Sequence, residues 1–252
     1  MLDKEYGLIT DLFFNSFLER DSYVLIKDID NPTFRMGNRL YLKLDKGIGE
    51  LEEDFNKEFK ENKQVESFVF TFNNSSFKLT DKFKNSGYEI EQSYVLKLAD
   101  YKNPRKINTE IKIKELKSKT DWDKMILNQN SARTSSYPKK DFINYITPKV
   151  QKYRKIINND KGNWYGAYIN NELIADTGIF FNNGIARFQL VATNPKFRRR
   201  GVCSSLLDSI ISIIKEKTII ILADPDYHAL DLYLSLGFEK VYLETTAIKI
   251  RA

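Results

Sequence analysis

Apolar and polar positions divide the chain into short elements of two periodicities. From Ser204 to Lys217 the apolar residues Leu206, Leu207, Ile210, Ile211, Ile213 and Ile214 recur at the spacing of one helix face. The run Thr218-Ile219-Ile220-Ile221-Leu222 that follows is short and largely β-branched, the pattern of a strand buried on both sides. Upstream lie three strand-like stretches, Trp164–Ile169, Glu172–Phe181 and Ile185–Thr193. They are separated by Asn170-Asn171 and Asn182-Asn183-Gly184, both hairpin-turn signals. Earlier still, Glu110–Lys114 alternates polar and apolar residues like a half-buried strand. Ser118-Lys119-Thr120-Asp121 offers caps for a helix through Trp122, Met125 and Ile126. A second helix is expected to start near Pro138, with Phe142, Ile143, Tyr145, Ile146 and Val150 on its apolar side and a kink or break at Pro148. Ala229–Leu236 reads as a helix capped by Gly237, and Phe238–Ile250 as a last extended stretch. Strand, two helices, three strands, helix, strand, helix, strand is the order of a layered α/β domain with a mixed sheet.

At the amino terminus, Asp11 and Asn15 interrupt Leu8-Ile9, Leu12-Phe13-Phe14 and Phe17-Leu18. That spacing predicts an amphipathic helix rather than a secretory leader. No window approaches the roughly 18 consecutive apolar residues of a membrane span, so a cytoplasmic location without a membrane partner is expected. The polar, proline-containing Tyr101-Lys102-Asn103-Pro104-Arg105-Lys106 marks a linker at about 100–108, which gives domains at 1–104 and 109–252.

Composition sharpens this picture in two ways. The chain has one cysteine, Cys203, and one histidine, His228, which rules out an internal disulfide and argues against any metal centre built from histidines and cysteines. Charge is uneven: residues 1–108 hold 17 Lys+Arg and 19 Asp+Glu, a net of −2, whereas 109–252 hold 23 and 15, a net of +8. The carboxyl-terminal part is therefore the expected home of an anionic ligand.

The most informative segment runs Leu190-Val191-Ala192-Thr193-Asn194-Pro195-Lys196-Phe197-Arg198-Arg199-Arg200-Gly201-Val202-Cys203. A strand enters a basic turn that opens a helix. Unbonded backbone N–H groups and the positive end of the helix dipole suit such a terminus to a diphosphate. Gly201 removes the Cβ that would block close approach, and three successive arginines add positive potential. No Gly-Lys-Ser/Thr follows and no second glycine precedes, which excludes a Walker loop and a dinucleotide fingerprint.

After the helix comes Ala223-Asp224-Pro225-Asp226-Tyr227-His228-Ala229-Leu230-Asp231-Leu232-Tyr233-Leu234-Ser235-Leu236-Gly237-Phe238. Together the two segments resemble the GNAT superfamily of acetyl-CoA-dependent N-acyltransferases. The first is similar to that family's Arg/Gln-x-x-Gly-x-Gly/Ala loop. The second is similar to its Asn-x-x-Ala-x-x-Leu-Tyr-x-x-x-Gly-Phe helix, carried here by Asp226, Ala229, Leu232, Tyr233, Gly237 and Phe238. Two positions depart from the pattern: Asp226 stands where Asn is usual, and Cys203 where Gly or Ala is usual.

The resemblance implies a fold and a site. Val191, Ala192 and Thr193 would line the pantetheine arm of acetyl-CoA. Arg198, Arg199, Arg200, Gly201, Val202, Cys203 and Ser204 would surround the diphosphate, with Asp226 near the arm. Val191 N–H would stabilise an oxyanion and Tyr233 would protonate the leaving thiolate. The base is left open: the strand Ile185–Thr193 holds Arg187, Gln189 and Thr193 but no carboxylate, and Asp176, Asp224, His228 or a water chain are candidates.

The first hundred residues read as a worn copy of the same half-fold. Shifted by 150 residues, Val69–Phe72 falls on Ile219–Leu222, Phe83 on Tyr233, and Gly87-Tyr88 on Gly237-Phe238. Lys46-Gly47-Ile48-Gly49 precedes an acidic helix in the place of the phosphate loop, Leu44 stands for Arg198, and Phe83 lacks the phenol. A cofactor-incompetent GNAT-like domain is expected, closing one side of the acceptor cleft or forming a homodimer contact. The leading reading is an N-acetyltransferase for a small-molecule or peptide amine. A tandem-GNAT aminoacyl transferase using aminoacyl-tRNA and a non-enzymatic CoA-binding module are the alternatives. The intact cofactor loop argues against a nucleic-acid partner.

Overall fold

The asparagine turns adopt the backbone their composition predicts. Asn170 and Asn171 have φ of 47° and 67°, and Asn183 and Gly184 have 46° and 81°. Such left-handed pairs match the twist of the strands they join. The computed structural model describes residues 16–73, 79–102, 107–133, 139–214 and 218–251. The chain groups into two compact units, Met1–Leu96 with Leu222–Leu230 and Lys240–Ala252, and Lys97–Ile221 with Asp231–Glu239.

In the first unit, β1 (Ser16–Glu19), β2 (Tyr23–Lys27) and β3 (Arg39–Leu42) form an antiparallel meander. Helix α1 (Ile48–Glu58) leads to β4 (Ser67–Asn73), which runs parallel to β3. Helix α2 (Thr80–Asn85) and β5 (Glu89–Leu98) follow. An aromatic cluster fills the space between sheet and helices. Phe55 stacks on Phe59 with centroids 4.4 Å apart, while Phe70 and Phe72 stack on Phe83 at 5.5 and 5.6 Å. Each such ring buries on the order of 150–250 Å², so this cluster is the unit's principal apolar contact. The expected amino-terminal helix is corrected where it is described: Ser16–Glu19 is a strand, and residues 8–15 lie outside the described chain. Phe17 and Leu18 stay 37% and 42% exposed, so there is no apolar stripe to bury. The open edge of β2 offers backbone partners instead.

The second unit repeats the plan. After β6 (Lys112–Glu115), helices α3 (Lys119–Ala132) and α4 (Lys139–Ile157) precede the meander β7 (Gly162–Ile169), β8 (Glu172–Asn182) and β9 (Ile185–Thr193). Helix α5 (Val202–Ile213) leads to β10 (Thr218–Ala223), parallel to β9, and then to α6 (Ala229–Ser235), with Leu222–Leu230 counted in the first unit. Ser118 caps α3 as expected, its hydroxyl accepting from Asp121 N–H at 3.1 Å. The break expected at Pro148 does not occur, because α4 runs through it. Ile146, Val150, Tyr153 and Ile156 form one buried stripe along that helix, and their burial offsets the one backbone bond that proline removes.

The last strand, β11 (Phe238–Ile250), is counted with the first unit from Lys240 onward. There it pairs antiparallel with β4, from Glu244 opposite Asn73 to Ile250 opposite Ser67. Thr71 and Thr246 share a buried hydroxyl hydrogen bond of 3.1 Å, and Ala247 joins the aromatic cluster.

Gly237 ends α6 at φ 95°, and its carbonyl accepts from Ala99 N–H at 3.1 Å. A Cβ there would lie 1.8 Å from the Asp100 carbonyl oxygen. We expect Gly237→Ala to lower stability by roughly 2 kcal/mol or more, because backbone strain and a backbone clash combine. Urea denaturation of the two proteins is the check, and equal midpoints would refute the role of this glycine.

Candidate active site

The site begins with a strand that has one residue too many. Asp176 of β8 faces Ala192 and Gly178 faces Gln189, so Thr177 alone stands opposite Leu190 and Val191. This β-bulge puts Leu190 at φ 53°, a conformation that a bulky residue adopts only when its surroundings hold it there. Two side chains grip the spot. Thr177 Oγ1 donates to the Gln189 carbonyl at 3.2 Å, and Gln129 Nε2 donates to the Leu190 carbonyl at 2.7 Å. On the other edge of β9, the parallel ladder covers only Ile185, Ala186 and Arg187, opposite Thr218, Ile219 and Ile220. From Phe188 to Thr193 that edge has no registered partner among the described residues. Val191, Ala192 and Thr193 all lie on it.

The basic turn follows directly. Asn194 anchors it, its N–H donating to the Ile174 carbonyl at 2.8 Å and its side chain capping the short 3-10 turn Pro195–Phe197. Arg199 and Gly201 both take positive φ, 62° and 74°. Gly201 is the amino-terminal cap of α5 and supplies no side chain to it; Ser205 N–H makes the first bond of the helix, to the Gly201 carbonyl at 3.0 Å. The preceding N–H groups of the first turn have no acceptor inside the helix. A brace unseen in the sequence holds this turn. Asn108 donates from its backbone to Ser205 Oγ at 2.8 Å and from its side chain to the Arg200 carbonyl at 3.1 Å. Asn108 sits in a polar linker, where nothing in the sequence sets it apart from its neighbours.

The three arginines differ. Arg198 turns back, donating to the carbonyls of Thr193 at 3.2 Å and Ala132 at 2.6 Å. Arg200 packs over the Phe197 ring at 5.6 Å, and both it and Arg199 are exposed. Val202 is buried and Ser204 Oγ donates to the Gly201 carbonyl at 3.0 Å. Burial pushes the Cys203 thiol up to about 11, against the pull of a Thr193 hydrogen bond. The side chain is thus a thiol at neutral pH, not a thiolate nucleophile.

Tyr233 lies on α6, 4% exposed, with its ring tilted against Phe238 at 6.2 Å. Asp224, Asp226 and His228 are exposed in the turn ahead of that helix, where Asp226 N–H donates to Asp224 Oδ1 at 2.9 Å. Asp176, another candidate base, is fully buried. Its Oδ2 accepts from Asn128 Nδ2 at 2.6 Å, and its Oδ1 accepts from Gln129 Nε2 at 2.7 Å and Trp164 Nε1 at 3.0 Å. Burial raises this carboxyl to about 7, the three donors opposing the rise. A group so enclosed touches no substrate directly. On β9, Gln189 reaches the buried Tyr153 hydroxyl at 3.5 Å. Among the described residues no group of three His, Cys, Asp or Glu side chains could hold a metal ion, and no helix is long and apolar enough to cross a membrane.

An antiparallel meander, a bulged strand that loses its parallel neighbour, and a helix that opens at a glycine together form this site. Residues 122–238 match the model of the acetyltransferase (GNAT) family. No curated protein matches the chain. A functionally unknown conserved protein from Staphylococcus epidermidis superposes with a TM-score of 0.76 at 16% identity, over 96% of each chain. A GCN5-related N-acetyltransferase from Kribbella flavida gives 0.65 at 11% identity, covering 98% of this chain and 93% of its own. A tandem GNAT protein from the clavulanic acid biosynthesis pathway gives 0.58 at 10% identity, over 99% and 95%. Residues 122–238 are thus similar to the acetyltransferase (GNAT) family, and the solved structures share the fold of the chain. Acyl transfer is the general activity that this similarity supports.

The buried carboxyl has a measurable consequence. A group whose folded pKa lies above its unfolded value near 3.9 binds more protons in the folded state. Its stabilising contribution is full at low pH and is lost as pH rises through the folded value, which is about 7 for Asp176. Wild-type stability should therefore fall relative to Asp176→Asn by up to about 1.4 kcal/mol per pH unit between roughly pH 5 and 7. Denaturant titrations at several pH values would expose this slope, and parallel curves for the two proteins would contradict it.

Proposed function

We propose that this protein is an N-acetyltransferase that moves an acetyl group from acetyl-CoA to a primary amine of a small molecule or peptide. The observation carrying this reading is the pairing of an unladdered β9 edge with a helix α5 that opens at a left-handed, side-chain-free Gly201. An extended pantetheine arm fits the first and a diphosphate fits the second. Acetyl-CoA, when bound, supplies the activated thioester. Val191, Ala192 and Thr193 offer strand-like backbone to the arm. Backbone N–H groups from Arg199 to Ser204 hold the diphosphate, with the exposed Arg199 and Arg200 adding positive charge. Val191 N–H stabilises the developing oxyanion, and Tyr233 gives a proton to the departing sulfur. Arg198, tied to two carbonyls, serves to fix the turn. Asp176 is sealed from solvent, so it does not take the acceptor amine's proton directly.

We also propose that the amino-terminal region, residues 1–104, is a GNAT-like domain that binds no cofactor. At the equivalent turn Gly47 is not left-handed (φ −63°), and the Glu50 carboxylate accepts from Gly47 N–H at 3.0 Å. The protein's own anion thus occupies the helix terminus. Phe83, in the place of Tyr233, is fully buried in the aromatic cluster.

Calorimetry with acetyl-CoA tests the assignment. Wild-type protein should bind, and Gly201→Glu should weaken binding about a hundredfold or more by placing a side chain and negative charge in the turn. Absence of binding to the wild type overturns the proposal; steeply salt-dependent tRNA binding in its place would favour aminoacyl transfer. With a panel of amines, Tyr233→Phe should keep coenzyme affinity but slow thiol release roughly tenfold or more. Coenzyme binding without transfer to any amine would point to a binding module instead.

A further inference from the structure

We infer that Gln129, locked by the buried Asp176, is a positioning residue that aims the Val191 N–H at the reacting carbonyl. The inference rests on the proposed acetyl transfer and concerns the same site. Gln129 Nε2 carries two hydrogens and spends both within 2.7 Å contacts, one on Asp176 Oδ1 and one on the Leu190 carbonyl. The Leu190 carbonyl and the Val191 N–H belong to one planar, trans peptide unit and point in opposite directions. Holding the oxygen therefore fixes the direction of the hydrogen, which faces away from Gln129.

Such a grip is needed because Leu190 sits at φ 53°. Released, this peptide would gain by rotating toward ordinary strand geometry, and Val191 N–H would swing with it. Gln129 alone is a long side chain with several rotamers to lose on being fixed. Asp176 supplies the anchor that selects one. Trp164 Nε1 and Asn128 Nδ2 hold that carboxylate in turn, at 3.0 and 2.6 Å. The arrangement has a cost: Asn128 Oδ1 is left buried without a hydrogen bond, and the anion is satisfied by three neutral donors. A core built for stability alone would place apolar side chains here. Donors and acceptor instead converge toward the one peptide at the bulge.

The test is an amide spectrum of protein saturated with CoA and then with acetyl-CoA, which differ only by the acetyl group. In the wild type, exchanging CoA for acetyl-CoA should shift the Val191 amide proton strongly. Gln129→Met preserves length and loses both donors; it should reduce that shift to about a third or less while calorimetric CoA affinity stays within about threefold. Asp176→Asn should retain most of the shift, because its amide oxygen still accepts from Gln129 and Trp164. If Gln129→Met fails to fold, the double variant with Asp176→Asn no longer buries a charge and carries the same readout. A full-sized Val191 shift in the Gln129→Met protein overturns the inference, as does a wild-type Val191 amide indifferent to the acetyl group. A wild type that binds neither coenzyme fails earlier, at the proposed function, and is recognised by calorimetry alone.

Discussion

The site depends on a mismatch in strand register. Between the Asp176–Ala192 and Gly178–Gln189 pairs, β8 has one residue while β9 has two. A regular antiparallel ladder satisfies every backbone group along an edge and leaves nothing for a ligand. The extra residue re-aims a peptide and bends the strand, and past Arg187 β9 has no registered pairing with β10. Strand-like backbone that is rigid yet unladdered is what an extended ligand requires, because it gains hydrogen bonds without first disrupting any.

The two units carry a similar order of elements but differ at one turn. Each has a meander, a helix, a parallel strand and a short helix. Gly87 and Gly237 take φ of 79° and 95° after those short helices. The difference lies at the longer helix's first turn. Gly201 adopts φ 74° and leaves α5 uncapped by any side chain, whereas α1 accepts its own Glu50. An anion at a helix amino terminus is stabilising whether it comes from a ligand or from a neighbouring residue. Glu50 secures α1 permanently. The second unit keeps its terminus open, and Asn108 and Arg198 hold the turn's shape by hydrogen bonds to carbonyls rather than to N–H groups.

Local chemistry was readable from the residues, and non-local pairing was not. The Asn170-Asn171 and Asn183-Gly184 turns, the apolar stripe of α5 and the basic turn at Arg198–Gly201 are set by neighbours a few positions apart. The bulge is invisible in Ile185–Thr193 because it exists only against the register of β8. Asn128 and Gln129 look like ordinary polar positions of a helix, and nothing in the sequence tells that they face a carboxylate nearly fifty residues away. Ser16–Glu19 carried a helical pattern, yet an unpaired strand edge decided its state. Pro148 carried a break signal, yet the buried stripe of α4 overrode it. In each case a tertiary partner outweighed a local preference.

Asp176 connects stability with chemistry. Its carboxyl is fully buried, accepts three hydrogen bonds from neutral donors, and titrates near neutrality, so part of the folded state's free energy varies with pH through this one group. An apolar residue packed against Trp164 would remove that liability. It would also leave Gln129 without the acceptor that selects its rotamer, and the Leu190 carbonyl without a fixed donor. Stability lost at a buried polar cluster and precision gained at a backbone N–H are two effects of the same hydrogen bonds.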